Sequence, residues 1–102
     1  MHITDVYQHI PQRNLIDIYF KLQGNLYCLR TRKRDKVYEL VTVYHEFKHK
    51  CEYCGKRGNG SICEDLEDQI VDLFHHLIEH PSIRLEWLFI PYKPYKERLD
   101  TQ

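Results

Sequence analysis

The sequence predicts an α+β fold: a small antiparallel-containing sheet packed against two amphipathic helices. Three observations predict it. Residues 15–22 alternate apolar and polar side chains, as a half-buried strand does. Residues 36–48 and 62–80 instead repeat apolar side chains at three- and four-residue steps, as one face of a helix does. The chain, at 102 residues, has the length of one domain with a modest core.

Each element has its own signal. In 15–22, Ile16, Ile18 and Phe20 share one face, and Asp17, Tyr19 and Lys21 share the other. Gly24-Asn25 supplies a tight turn and residues 26–31 return as a second strand, so 15–31 reads as a β-hairpin. In 36–48, Asp35 is the N-cap, and Val37, Leu40, Val41, Tyr44 and Phe47 form an apolar stripe. In 62–80, Ser61 and Glu64 have capping-box spacing, and Glu64, Asp65, Glu67 and Asp68 crowd the first turn, where the helix dipole favours negative charge. His75, His76 and His80 lie toward the other end, and Pro81 stops the helix. Its buried stripe is Leu66, Ile70, Leu73, Phe74 and Leu77. Residues 83–90 read as a strand, with Leu85, Trp87 and Phe89 on one face. The duplicated Pro-Tyr-Lys of 91–96 favours an extended, polyproline-like segment. The organisation is thus one domain over 1–90 and a tail over 91–102.

A weak internal repeat runs through this pattern. Leu40–Phe47 aligns without gaps on Ile70–Leu77, with Val41/Val71 and His45/His75 identical, and Ile16–Phe20 echoes Leu85–Phe89. Two readings stay open. Either any two amphipathic helices look alike at this level, or the chain holds two similar strand–helix motifs, about 1–50 and 51–90, with a groove between them. Grooves and sheet edges are where peptides dock.

Composition excludes several classes. The hydrophobic fraction of 42% and charged fraction of 29% are those of a globular chain, not a disordered polyelectrolyte. No run approaches the ~20 apolar residues of a membrane span. Residues 1–13 carry no apolar signal core, so the expected location is intracellular, in the cytoplasm. Net charge is zero but segregated: residues 30–57 hold 9 basic and 4 acidic side chains, and residues 58–80 hold 6 acidic and none basic. The run Arg30, Arg32, Lys33, Arg34 and Lys36 sits badly at a helix N-terminus and is expected to be solvated or paired with acidic groups.

Two motifs carry possible metal chemistry. Cys51-Glu-Tyr-Cys54-Gly resembles a zinc knuckle, whose two thiolates grip one tetrahedral ion while the glycine frees the turn. Cys63 follows at a helix start, where the dipole favours a thiolate, and His49 or His45 would be the fourth ligand. The competing readings are a disulfide or free thiols. The set carried forward is Cys51, Cys54, Cys63 and His49, holding one structural zinc or none. Separately, His45-Glu-Phe-Lys-His49 matches HExxH and resembles the zincin metalloproteases over five residues. That resemblance implies His45 and His49 as zinc ligands and Glu46 as general base. Against it, Lys48 and Lys50 stand where that family has uncharged residues, and no third ligand is evident. The glycine-rich stretch 55–61 lacks the Gly-Lys-Ser/Thr ending of a P-loop and reads as a turn.

The whole chain, alanine-free, with 8 Tyr, 4 Cys and two weak repeats, resembles the small orphan proteins of filamentous viruses of hyperthermophilic archaea. The resemblance implies a small, stable viral accessory protein of no known enzymatic class, located in a host cytoplasm.

With no catalytic set beyond HExxH, the first functional expectation is a non-enzymatic module that docks another protein or peptide through Tyr19, Tyr27, Trp87 and Tyr92, because aromatic residues dominate binding hot spots. A core role for Trp87 competes with a surface one. The alternatives are a zinc-knuckle nucleic-acid binder using the basic run and a minimal HExxH protease. No membrane partner is expected.

Overall fold

The computed structural model describes residues 2–34, 37–83 and 92–94. Four strands form an antiparallel meander: β1 (Ile3–Gln12), β2 (Leu15–Leu22), β3 (Asn25–Arg34) and β4 (Val37–His45). Two short helices follow, α1 (Glu64–Asp68) and α2 (Ile70–Ile78). A three-residue strand, β5 (Tyr92–Pro94), then pairs parallel to β4, giving the sheet order β1-β2-β3-β4-β5. The fold class is α+β, as expected.

The hairpin forms where the alternation places it, but its turn sits one residue earlier. Leu22 pairs with Asn25, so the loop is Gln23-Gly24, with φ of +53° and +80°. Two successive positive φ values are the signature of a type I′ turn, whose twist matches that of the strands it joins. This turn sets the register that places Asp17 opposite Arg30 and Phe20 opposite Tyr27.

Residues 36–48 are the main correction, because 37–45 are strand β4 rather than helix. The reason lies in one extra residue. Leu40 pairs with Thr31 and Thr42 pairs with Arg30, leaving Val41 as a β-bulge between them. Alternation changes phase there, so Leu40 and Val43 both face the core, each at 0% exposure. A three-residue apolar step in the sequence thus mimics a helical period. The β-branched run Val41-Thr-Val43 favours the strand. The aligned segments 40–47 and 70–77 therefore fold as strand and helix, so the two-motif reading does not describe residues 1–50. Asp35 and residues 84–90, including Leu85, Trp87 and Phe89, lie outside the described residues.

The second predicted helix is present but broken and shorter. Gln69 interrupts it between α1 and α2, and its N-cap is Cys63, with no side-chain cap. The Ser61–Glu64 capping box is therefore absent. The predicted stripe is the observed one: Leu66, Ile70, Leu73, Phe74 and Leu77 pack on Ile18, Phe20, Leu29, Leu40 and Val43 of the sheet. Each such side chain contributes about 1.5–3 kcal/mol by leaving water, which is what holds helices this short in place.

The opposite face of the sheet carries Asp17, Tyr19, Cys28, Arg30, Thr42 and Tyr44. Here the Arg30 guanidinium grips buried Asp17 with two hydrogen bonds, of 2.9 and 3.0 Å, and lies 5.5 Å from the Tyr44 ring centre. Arg32 lies 3.7 Å from Glu39. Two members of the basic run are thus paired with acidic groups. No helix among the described residues is long and apolar enough to cross a membrane.

Candidate metal centre

Four donors converge where β4 ends. His45, Cys51, Cys54 and Cys63 place their ligand atoms within 4.8 Å of one another, and three of the four residues are buried. Each arrives by a different local device.

His45 is the last residue of β4. The phase change at Val41 turns it to the helix side, where it is 1% exposed. Segment 60–63 runs antiparallel beside it: His45 N–H donates to Ser61 O, Gly60 N–H to His45 O, and Cys63 N–H to Val43 O, at 2.7–2.8 Å. This pairing sets Cys63 beside His45 on the same face and makes it the N-cap of α1. Ser61 also fixes the imidazole. Its Oγ gives its one proton to Gly58 O at 2.7 Å, so the His45 Nδ1, 2.8 Å from Ser61 O and 2.9 Å from Ser61 Oγ, is the donor. The lone pair is then on Nε2, which faces the Cys54 sulfur at 3.3 Å. A ring N–H held by a backbone carbonyl is how metal-binding histidines are oriented.

Cys51 and Cys54 sit in a tight knuckle. Gly55 N–H donates to Cys51 O and Cys51 N–H to Lys56 O, both at 2.9 Å. Gly55 takes φ +76°, which a side chain would strain. The Cys51 sulfur lies 3.3 Å from the Tyr27 hydroxyl, 3.4 Å from the Tyr53 backbone N–H and 3.8 Å from the Cys63 sulfur.

The electrostatics follow from these contacts. Burial pushes the Cys51 thiol up, but hydrogen bonds from Tyr27 and from the Cys54 and Tyr53 backbone outweigh it and bring it below the ordinary thiol range. Cys63 moves the other way, raised by burial and by the adjacent Cys51 charge. Two thiolates this close repel, so the second proton is hard to remove until a dication sits between them. Tyr27 is held protonated by burial and then by its bond to Cys51. Cys28, on the opposite face, has the Tyr19 hydroxyl beside it, but burial outweighs that bond and pushes the thiol up to about 12.

The expected ligands Cys51, Cys54 and Cys63 come together; His49 does not join them. It is exposed, with Nε2 on the Asn25 side-chain oxygen at 2.9 Å. The histidine that joins the three sulfurs is His45, the other one the spacing offered. The same geometry removes the HExxH arrangement, because His45 ends a strand and 46–50 carry no helix to bring His49 round to its face. Glu46 therefore has no paired histidines to serve.

The expected contact residues fare unevenly. Tyr27 is at 0% exposure, packed by Phe20, His45, Phe47 and Tyr53, so it belongs to the core. Tyr19 is half-buried and stacks on exposed Tyr7, ring centres 5.0 Å apart. Tyr92 lies on β5, paired with Tyr38, and its side chain is outside the description. Trp87 is outside it altogether. Two groups that matter, the Tyr27 hydroxyl and the Ser61 carbonyl, left no spacing signal, since each meets its partner through space.

No protein-family model matches the chain, and no curated protein or solved structure shows detectable similarity to it.

Proposed function

We propose that this protein is a small zinc-stabilised binding domain, not an enzyme, and that it docks another protein. The observation that carries the reading is the Cys₃His donor set. Three sulfurs and one oriented imidazole nitrogen match the preferences of zinc for soft and borderline ligands in tetrahedral array. Four protein ligands complete that array and leave no position for a substrate or an activated water, which is the pattern of a structural site. The site ties together β4, the knuckle and α1, elements joined by loops rather than by a large core.

Docking is supported by the surface around β1. This edge strand exposes Tyr7 (46%) and Ile10 (56%), and Tyr7 stacks on Tyr19 with His9 beside the pair. Stacked aromatic residues on a rigid strand offer large contact area at small entropic cost. A nucleic-acid partner has less support, because Arg30, Arg32 and Lys56 of the basic block are paired with Asp17, Glu39 and Glu64.

The test of the first half is elemental analysis of chelator-free protein. About one zinc per chain, absent from a Cys51→Ser variant, supports it; no zinc at any pH above 7 sinks it. For the second half, cross-linking in cells that express the chain should yield one protein partner. Tyr7→Ser with Tyr19→Ser should abolish that adduct while zinc content and melting temperature hold; an unchanged adduct overturns the assignment of this surface.

A further inference from the structure

The three sulfurs of the centre are not equivalent, and the difference carries a consequence. Cys51 and Cys63 are enclosed, at 1% and 0% exposure, whereas Cys54 is only partly buried. The Cys51 sulfur is also quieted by two donors, the Tyr27 hydroxyl and the Tyr53 N–H. A hydrogen bond to a thiolate withdraws electron density and lowers its nucleophilicity. The neighbour of Cys54 is His45 Nε2, the ring nitrogen without the proton, which donates nothing to it. Cys54 is therefore the most accessible sulfur of the set, and the ring nitrogen it faces does not quiet it as the donors quiet Cys51.

We infer that Cys54 is a modification site: peroxides and soft electrophiles attack the zinc centre there, and its modification releases the metal. This rests on the zinc reading above. With hydrogen peroxide, the Cys54 thiolate attacks one oxygen, the O–O bond breaks, and hydroxide leaves, giving a sulfenic acid on Cys54. The Cys51 thiolate, within 4.8 Å and on the same knuckle, then attacks that sulfur. An S–S bond forms and a second hydroxide leaves. The two thiolates have supplied two electrons, the peroxide has become two hydroxides, and two of four ligands are gone, so Zn²⁺ dissociates. The knuckle closes this bridge within itself, while Cys63 stays pinned by its N–H bond to Val43 O. An alkylating agent needs only the first attack, forming a thioether and displacing its halide.

The experiment uses the full chain loaded with zinc, its content measured first. Metal release under hydrogen peroxide is followed with a chromogenic chelator, and samples are capped with N-ethylmaleimide and peptide-mapped. Zinc release should track loss of free Cys54 one for one, with a Cys51–Cys54 disulfide as product and recovery on adding dithiothreitol and zinc. In a parallel brief exposure to iodoacetamide, Cys54 should label at least about tenfold faster than Cys51 or Cys63. Tyr27→Phe keeps the ring and removes the hydroxyl, so it should hold zinc, fold as judged by circular dichroism, and raise Cys51 labelling severalfold. First attack at Cys51 or Cys63, or zinc retained after Cys54 is capped, overturns the inference. A chain that binds no zinc at the outset fails the metal reading instead, so the two failures are told apart.

Discussion

Two buried polar clusters lie on opposite faces of one sheet, and they are satisfied in different ways. On one face Asp17 and Arg30 form a two-pronged ion pair, complete within the chain. On the other, His45, Cys51, Cys54 and Cys63 offer lone pairs and few protons. Opposite charges close the first cluster; the second is complementary to a cation from outside. The cysteines sharpen the contrast. Cys28 and Cys51 are both almost fully enclosed, yet one thiol is pushed up by burial and the other is drawn down by its donors. Where burial outweighs the donors the thiol stays inert, and where the donors outweigh burial it becomes a thiolate suited to a cation.

On the zinc reading, the largest effect comes from removing the metal. Chelation, or Cys63→Ser, should cost on the order of 10 kcal/mol and abolish the cooperative thermal transition. Helices of 5 and 9 residues do not persist alone, so their far-ultraviolet circular dichroism should go with it. Asp17→Ala breaks the other cluster. It should cost about 2–3 kcal/mol in urea unfolding, below the range for a fully buried pair because Arg30 is one-third exposed. Zinc stoichiometry should not change, since the ion pair lies across the sheet. A pH series then separates the two thiol environments. The Cys28 pKa is raised from 9.0 to about 12 on folding, so the stability it contributes is intact below pH 9 and is lost as pH rises toward 12. Wild type should therefore lose up to about 1.4 kcal/mol per pH unit above 9 relative to Cys28→Val, whose own unfolding gains no such slope. Equal slopes would mean that Cys28 is not enclosed as described. The smallest effect comes from the turn that sets both clusters in register. No atom lies within 4 Å of a Cβ added at Gly24, so Gly24→Ala should cost only the backbone strain of φ +80°, about 1 kcal/mol.

What the sequence disclosed follows from how local each signal is. The hairpin and the Leu66–Leu77 stripe were legible because alternation and helical spacing are properties of neighbours in the chain. β4 was misread because the bulge at Val41 imposed a three-residue step on a strand. β1 gave no signal, since only Val6 of its ten residues is buried and an edge strand needs little apolar pattern. At the metal centre, the knuckle and Cys63 were visible as spacing, while the choice of His45 over His49 depended on which way β4 faces at its end. Pairing settles that, and pairing is not written in any short window.

That same bulge makes the centre depend on counting. Past Val41 the strand reads its faces in a shifted frame, so His45 points toward the helices only because one unpaired residue precedes it. Were Val41 instead drawn into regular pairing after Leu40, every ligand in the sequence and every spacing between Cys51 and Cys63 would stay unaltered, yet the imidazole would turn to the far side of the sheet. The coordination sphere is encoded partly by a residue that touches none of its atoms, much as the meaning of a codon is set by the nucleotides before it.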